Sequence, residues 1–303
     1  IMNSRFINVI TELKGMCVDF PYSIYAVGGC VRDLILGEEI KDIDIVVEAR
    51  EGEKLLTDYL LAKYPEKIGN LVENIKFHTN RFSLFLSDGS EEQIDCAMTR
   101  TETYKKDTRK PDNVGYAGIS VDSLRRDFTL NALYYDVKTN AILDPTGRGL
   151  DDLKNKILRT PLDPAETFEE DSLRMLRAVR FKHCKNFNLA DDVVSGITTS
   201  ANSIRTTARE RITEEFLKIL GSSTPDSGIT DLHELGLLGY ILPELDNYWD
   251  MNQKSKYHHL SFSGHTLEVL KKTAEKSKRL ELRMAALLHD IAKPTPSGHQ
   301  EKS

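Results

Sequence analysis

What most constrains the fold of this chain is a change of hydrophobic period along it. Up to about residue 136, short β-prone runs alternate with brief helical stretches; from about residue 150 onward, strand signals fade and apolar residues recur at helical spacing. Ile24 to Val27 is a compact strand-like run ending at Gly28-Gly29, and Leu34 to Leu36 reads as a helical turn stopped by Gly37. Ile43, Ile45 and Val47 alternate with Asp42, Asp44 and Val46, so a strand there places both aspartates on one face. Further strands are expected at 82–86, 93–98 and 132–135, and helices at 4–14, 171–181, 210–220 and 265–274. The fold class is therefore α+β. A head on a small mixed sheet (residues 1–136) precedes an all-helical part, divided into a neck (137–222), a body (223–255) and a last helical region (256–303). A chain of 303 residues is also longer than one hydrophobic core usually serves. Pro and Gly cluster at Asp144 to Gly147 and at Gly221 to Gly228, which mark the expected joints.

Composition narrows the function classes. With 40% hydrophobic and 29% charged residues the chain is too apolar for general disorder. No apolar stretch reaches the length of a membrane span, and Ile1 to Lys14 lacks a signal-peptide core, so a cytoplasmic protein without membrane partners is expected. Cys17, Cys30, Cys96 and Cys184 have no CxxC spacing, which excludes a zinc knuckle or a secreted disulfide scaffold. A net charge of −6 requires any RNA-binding surface to be local. Arg174, Arg177, Arg180 and Lys182, with Arg205, Arg209 and Arg211 downstream, form a candidate stripe that reads equally as a solvated helix face.

Three runs carry chemistry. In the first, Gly28-Gly29 at a strand-to-helix turn lets backbone N–H groups approach a polyphosphate, Arg32 follows, and Asp42 and Asp44 offer two carboxylates for divalent ions. Alone, Asp42-Ile43-Asp44 is a polar strand face; combined with the glycine turn it is a metal and nucleotide site. A third carboxylate is expected from a neighbouring strand at Asp95, whereas Glu91 and Glu92, nearer the loop after Asp88-Gly89, read as solvated. The second run is Arg125-Arg126-Asp127-Phe128-Thr129-Leu130-Asn131, whose arginines suit phosphates and whose Asp127 and Asn131 suit a ribose hydroxyl; a structural salt bridge at the start of a strand fits equally well. The third is Glu170-Asp171 to Arg177, where helical spacing would put Asp171, Arg174 and Arg177 on one side, either as base-reading groups or as an intrahelical salt bridge.

In this order these runs resemble the bacterial and eukaryotic (class II) tRNA nucleotidyltransferases and their poly(A) polymerase relatives. The resemblance covers about residues 22 to 220 and includes Asp144 to Arg159 and Arg209-Glu210-Arg211. It implies template-independent addition of C or A from CTP or ATP to the 3′ end of tRNA. Mg²⁺ would sit on Asp42 and Asp44, the triphosphate on Gly28, Gly29 and Arg32, and the sugar and phosphates on Arg126, Asp127 and Asn131. Asp171 and Arg174 would read the base, with Arg177 beside them. Lys105 to Ile119 follows no assignable pattern.

Farther on, His265 opens a helical run and His289-Asp290 closes another, as in HD-type metal phosphohydrolase domains, which implies a transition metal on these three residues, with His299 as a further ligand. A helix-end salt bridge is the alternative, since no aspartate follows Asp290 in the sequence. Poly(A) addition and a phosphohydrolase remain the rival activities.

Overall fold

The computed structural model describes residues 3–103, 113–251 and 260–293. It divides into two compact units, one of residues 1–155 and 159–162, the other of 156–158 and 163–303. The turn at Asp144 to Gly147 thus lies inside the first unit. There the Asp144 carboxylate accepts from the Gly149 and Leu150 amides.

The first unit is built on a seven-stranded mixed sheet. Its strands are β1 (Ile24–Val27), β2 (Ile43–Val47), β3 (Ile68–Asn74), β4 (Thr79–Phe85) and β5 (Glu91–Met98). A hairpin of β6 (Arg100–Thr103) and β7 (Asn113–Tyr116) stands apart, and β8 (Tyr134–Asp136) and β9 (Ile142–Leu143) complete the sheet. The order is β3-β4-β5-β2-β1-β8-β9, and only β2 and β5 pair in parallel. β1 is buried along its whole length, as a central strand with no polar residue must be. In β2 and β5, Ile43, Ile45, Ile94, Cys96 and Met98 point into the core, which puts Asp44 and Asp95 on the opposite face.

The helices of this unit are α1 (Ser4–Met16), α2 (Gly29–Leu36), α3 (Gly52–Lys63), α4 (Ile119–Leu124) and α5 (Gly149–Lys154). α1 buries Phe6, Val9, Ile10, Leu13 and Met16, a stripe of helical period, and α3 packs on β2, β4 and β5. α2 ends where Gly37 takes φ 69°, the left-handed cap its sequence announced. The strand expected at 132–135 begins two residues later, because Thr129–Asn131 forms a 3₁₀ turn first. β3 was not expected: all its residues after Ile68 are half-buried or exposed, so an edge strand shows no alternation.

The second unit holds α6 (Pro164–Glu170), α7 (Leu173–Lys185), α8 (Asp191–Ser200), α9 (Arg209–Leu220), α10 (Pro225–Glu234), α11 (Leu238–Ile241), α12 (Pro243–Asp246), α13 (Phe262–Lys276) and α14 (Leu280–Leu288). Among its described residues the regular structure is helical apart from a two-residue parallel pair, β10 (Ile157–Leu158) with β11 (Asn188–Leu189), which corrects the all-helical expectation. Buried Arg283 donates to the Leu220 and Ser222 carbonyls at 2.9 and 2.6 Å, satisfying acceptors at the end of α9 that the helix itself leaves unpaired. No helix of the described residues is long and apolar enough to cross a membrane.

Candidate active site

Between β1 and α2 the chain reverses at Gly28, whose φ of 77° no β-carbon-bearing residue adopts without strain. A β-carbon there would lie 3.9 Å from Arg126 Nη1, and one on Gly29 would lie 3.4 Å from Arg32 Nη2. The glycine turn is thus flanked by two guanidinium groups. Arg32 is buried and held on both sides. Its Nε and Nη2 donate to the Asp33 carboxylate at 2.8 and 2.9 Å, and Nη1 donates to Asn131 Oδ1 at 2.7 Å. Asn131 Nδ2 in turn donates to Asp127 Oδ1 at 3.0 Å. The expected phosphate and sugar residues Arg32, Asp127 and Asn131 therefore form one bonded chain beside the turn.

Asp44 and Asp95 face each other in register across the parallel β2 and β5 pair. With Arg81, Asn80, Arg125 and Arg126 they line a cavity of about 530 Å³. Arg81 grips Asp95 through two bonds of 2.6 and 3.0 Å. Burial, with the Asp95 charge and then that of Asp42 opposing ionisation, pushes the Asp44 carboxyl up to about 6 against the relief that Arg126 supplies. Asp42 departs from expectation: β2 begins at Ile43, so Asp42 precedes the strand, is exposed and does not line the cavity. Glu92 departs too. It is buried on the other face of β5 and accepts from Arg5 Nε at 2.5 Å, because strand alternation and not loop proximity decides its side.

Arg126 is positioned by Asp122, a residue the sequence reading did not single out. The Asp122 carboxylate, fully buried on α4, accepts from Arg126 Nη2 at 2.8 Å, Arg125 Nε at 3.0 Å, the Arg100 amide at 3.0 Å and Tyr134 Oη at 2.6 Å. Burial works against its ionisation, but Arg126 and Arg125 outweigh it and hold the carboxyl well below the usual carboxylate range. Burial likewise opposes the Arg126 charge, and Asp122 overrides it. Only the i,i+3 and i,i+4 spacing of Asp122 from the two arginines could have signalled this role. Asp33, adjacent to Arg32, was equally legible only as a neighbour.

In the second unit, the expected shared helix face of Asp171 and Arg174 does not form. Asp171 has extended backbone (φ −145°, ψ 100°) between α6 and α7, and its carboxylate accepts from the Leu173 amide and from Arg211 Nη1 and Nη2 at 3.3 and 3.2 Å. Arg174, the second residue of α7, donates to Glu170 Oε2 at 3.0 Å and to the Thr167 carbonyl at 3.2 Å. Arg177 lies half-buried one turn farther along α7. The helix break at Asp171 and Ser172 explains the difference, since residues on either side of it share no helical register.

His265 on α13 and the His289-Asp290 pair after α14 do converge. Their ligand atoms all lie within 4.8 Å of one another, with the two Nε2 atoms 3.2 Å apart. His289 Nδ1 is 2.7 Å from the Ala286 carbonyl, a bond that keeps the proton there and leaves the Nε2 lone pair facing the cluster. Two nitrogens and a carboxylate suit a divalent transition metal. Lys293 occupies one oxygen of Asp290 at 2.6 Å. His299, also expected as a ligand, lies outside the described residues, as do residues 105–112 of the unassigned segment.

Comparison with known proteins follows the same order along the chain. The family model for the poly A polymerase head domain matches residues 24–159, that for the probable RNA and SrmB-binding site of polymerase A matches 186–248, and that for the HD domain matches 262–303. The head and HD families imply use of divalent metal in general. The CCA-adding enzyme of Levilactobacillus brevis is 35% identical over 77% of this chain and 55% of its own length. The Multifunctional CCA protein of Pseudoalteromonas atlantica is 33% identical over 92% of this chain and 68% of its own. A solved CCA-adding enzyme in complex with CTP superposes with a TM-score of 0.72 at 25% identity, covering 99% of this chain and 64% of that one. The chain thus spans between about half and two thirds of the length of these relatives. Three family models in sequence, and a relative one third identical over two thirds of its own length, establish that the chain belongs to the class II tRNA nucleotidyltransferases, the family of the CCA-adding enzymes.

Proposed function

We propose that this chain adds C and A nucleotides from CTP and ATP to the 3′ end of tRNA in the cytoplasm without a nucleic-acid template. The observation that carries the reading is the in-register pair of Asp44 and Asp95, facing a cavity that Arg126 also lines. In the reaction the tRNA 3′ oxygen bonds the α-phosphorus of the triphosphate as the bond to the β-phosphate breaks and pyrophosphate leaves. Asp44 and Asp95, with Asp42 at the flank, are oxygen donors suited to Mg²⁺, which would lower the cost of ionising the 3′ hydroxyl and neutralise charge on the leaving group. Asp44 itself is ionised at neutral pH, given a carboxyl pushed up only to about 6, and its crowding by like charge favours a bound cation. Arg32 and Arg126 flank the glycine turn already oriented, so little side-chain freedom is lost when they meet phosphates. Asp127 and Asn131 take the ribose.

Base choice falls to Asp171 and Arg174, as acceptor and donor. Cytosine and adenine each present an amine beside a ring-nitrogen acceptor, whereas uracil and guanine reverse that order and would leave buried groups unpaired, at about 1–3 kcal/mol each. In the structure these residues are engaged by Arg211 and Glu170, so the incoming base exchanges with existing ion pairs. In this reading the chain after residue 136 divides into neck (137–222), body (223–255) and HD region (256–303), with neck residues 137–155 and 159–162 belonging to the first compact unit. The convergence of His265, His289 and Asp290, with ligand atoms within 4.8 Å of one another, supports a second, metal-dependent phosphohydrolase activity.

The test offers purified protein tRNAs lacking three, two or one terminal nucleotides, with each labelled triphosphate separately. Incorporation confined to CTP and ATP, stopping when the CCA end is complete, is the expected result. Loss of turnover in Asp44→Ala, with tRNA binding retained, is expected alongside it, and so is relaxed choice in the Asp171→Ala, Arg174→Ala double variant. Long A tracts on any RNA would make the enzyme a poly(A) polymerase instead.

A further inference from the structure

The basic residues strung along the second unit do not remain available as a stripe. Arg174 pairs with Glu170, Arg180 with Glu215, Lys182 with Asp231 and Arg211 with Asp171. Arg205 and Arg209 differ. Both are exposed, and neither has a carboxylate in ion-pair range among the described residues. In a chain of net charge −6, two arginines with no carboxylate in ion-pair range among the described residues are a local positive field.

They also share an anchor. The Arg205 guanidinium carbon lies 4.9 Å from the centroid of the Tyr240 ring, and Arg209 Nη1 donates to the Tyr240 carbonyl at 3.4 Å. Arg205, Arg209 and Tyr240, with Thr207, Gly239 and Pro243, line a cavity of about 340 Å³ whose described lining includes no acidic residue. Asp246, whose Oδ2 lies 2.7 Å from where a β-carbon on Gly239 would stand, is not among the lining residues, and its Oδ1 is 2.6 Å from His233 Nδ1.

We propose that Arg205 and Arg209, held over this cavity by Tyr240, clamp a phosphate of the RNA backbone. Guanidinium forks match phosphate oxygens, and the stacked Tyr240 restricts the Arg205 fork before the ligand arrives. Polynucleotide is favoured over a free triphosphate because both arginines are exposed on the surface and the RNA-binding family model, residues 186–248, spans all the residues concerned. The inference rests on RNA being the partner, as proposed above, and assigns the residues that hold its backbone.

The experiment compares the full chain with the Arg205→Gln, Arg209→Gln double variant. Affinity for a tRNA lacking its terminal nucleotides is read by anisotropy across a salt series, and affinity for CTP alone is read by calorimetry. With the clamped phosphate released, tRNA binding should weaken about 5- to 10-fold near 0.1 M salt, and the slope of log K against log salt should fall by about 0.8. CTP affinity and melting temperature should stay at wild type, and Arg205→Lys with Arg209→Lys should restore most of the slope. Unchanged tRNA affinity and slope overturn the proposal, as does a loss confined to CTP, which would make the cavity a nucleotide site. If wild type binds tRNA but transfers no nucleotide, the catalytic reading fails while the binding arm still decides the clamp.

Discussion

Asp122→Asn isolates the group that holds Arg126 at the glycine turn. The substitution keeps the shape and removes the charge, leaving one acceptor oxygen where a fully buried carboxylate served Arg125, Arg126, Tyr134 and the Arg100 amide. Its new NH₂ group would face a guanidinium. Breaking a buried ion pair costs about 3–5 kcal/mol, whereas an exposed pair is worth about 0.2–1 kcal/mol. Because the Arg125 and Arg126 side chains keep 18% and 16% exposure, the lower end applies, about 3 kcal/mol. For a unit of this size that lowers the melting temperature by about 6–12 °C. Tyr134→Phe, which removes one donor and leaves the ion pairs, should cost about 1 kcal/mol. The pH dependence has a definite sign. Asp122 is held below the usual carboxylate range, so its stabilisation is present above the unfolded value, near pH 4, and is lost only as pH falls through the depressed folded value. The gap between wild type and variant should therefore stay flat from about pH 5 to 8 and narrow below about pH 4. Freed Arg126 should also raise the KM for CTP about tenfold, equivalent to about 1.4 kcal/mol. Thermal melts across pH, followed by calorimetry, check the stability terms, and initial rates across CTP concentration check KM; a variant melting within about 2 °C of wild type at pH 7, or a gap that widens as pH falls, would refute the argument.

Two further outcomes follow from the sites. Asp44 has the opposite sign: its carboxyl is pushed up to about 6, so metal-free protein should lose stability as pH rises from about 4 through 6. Asp44→Asn should flatten that window and melt about 2–8 °C higher than wild type in EDTA at pH 7.5, while losing any Mg²⁺-dependent gain. Equal melting in EDTA would show that the carboxylates do not repel as described. At the HD cluster, calorimetry should find a Mn²⁺, Ni²⁺ or Co²⁺ site that His289→Ala abolishes, with phosphatase or 2′,3′-cyclic phosphate hydrolysis following the metal. Protein that binds none of the three would leave His265, His289 and Asp290 as a structural cluster.

Local order along the chain was legible because its causes are local. Period-two alternation at Ile43 to Val47, the Gly37 stop and the helical stripes of α7, α9 and α13 depend on neighbours a few residues away, and they placed the sheet-bearing head and the helical remainder correctly. In β5, alternation leaves Glu91 and Asp95 on one face, and it was nearness to the Asp88-Gly89 loop that set Glu91 aside and left Asp95, which the strand register then places opposite Asp44. The edge strand β3 escaped because a strand wetted along most of its length needs no apolar pattern. What remained for the tertiary structure was pairing between distant residues. Sequence spacing suggested Asp171 with Arg174, but a two-residue break in the helix gave Asp171 to Arg211, forty positions away, and left Arg174 to Glu170. It likewise placed Glu92 under Arg5 and drew Arg126 onto Asp122 and Tyr134. A charged side chain reaches any opposite charge that the fold brings within a few ångströms, so its type was written in the sequence, and its partner was chosen only when the strands and helices packed.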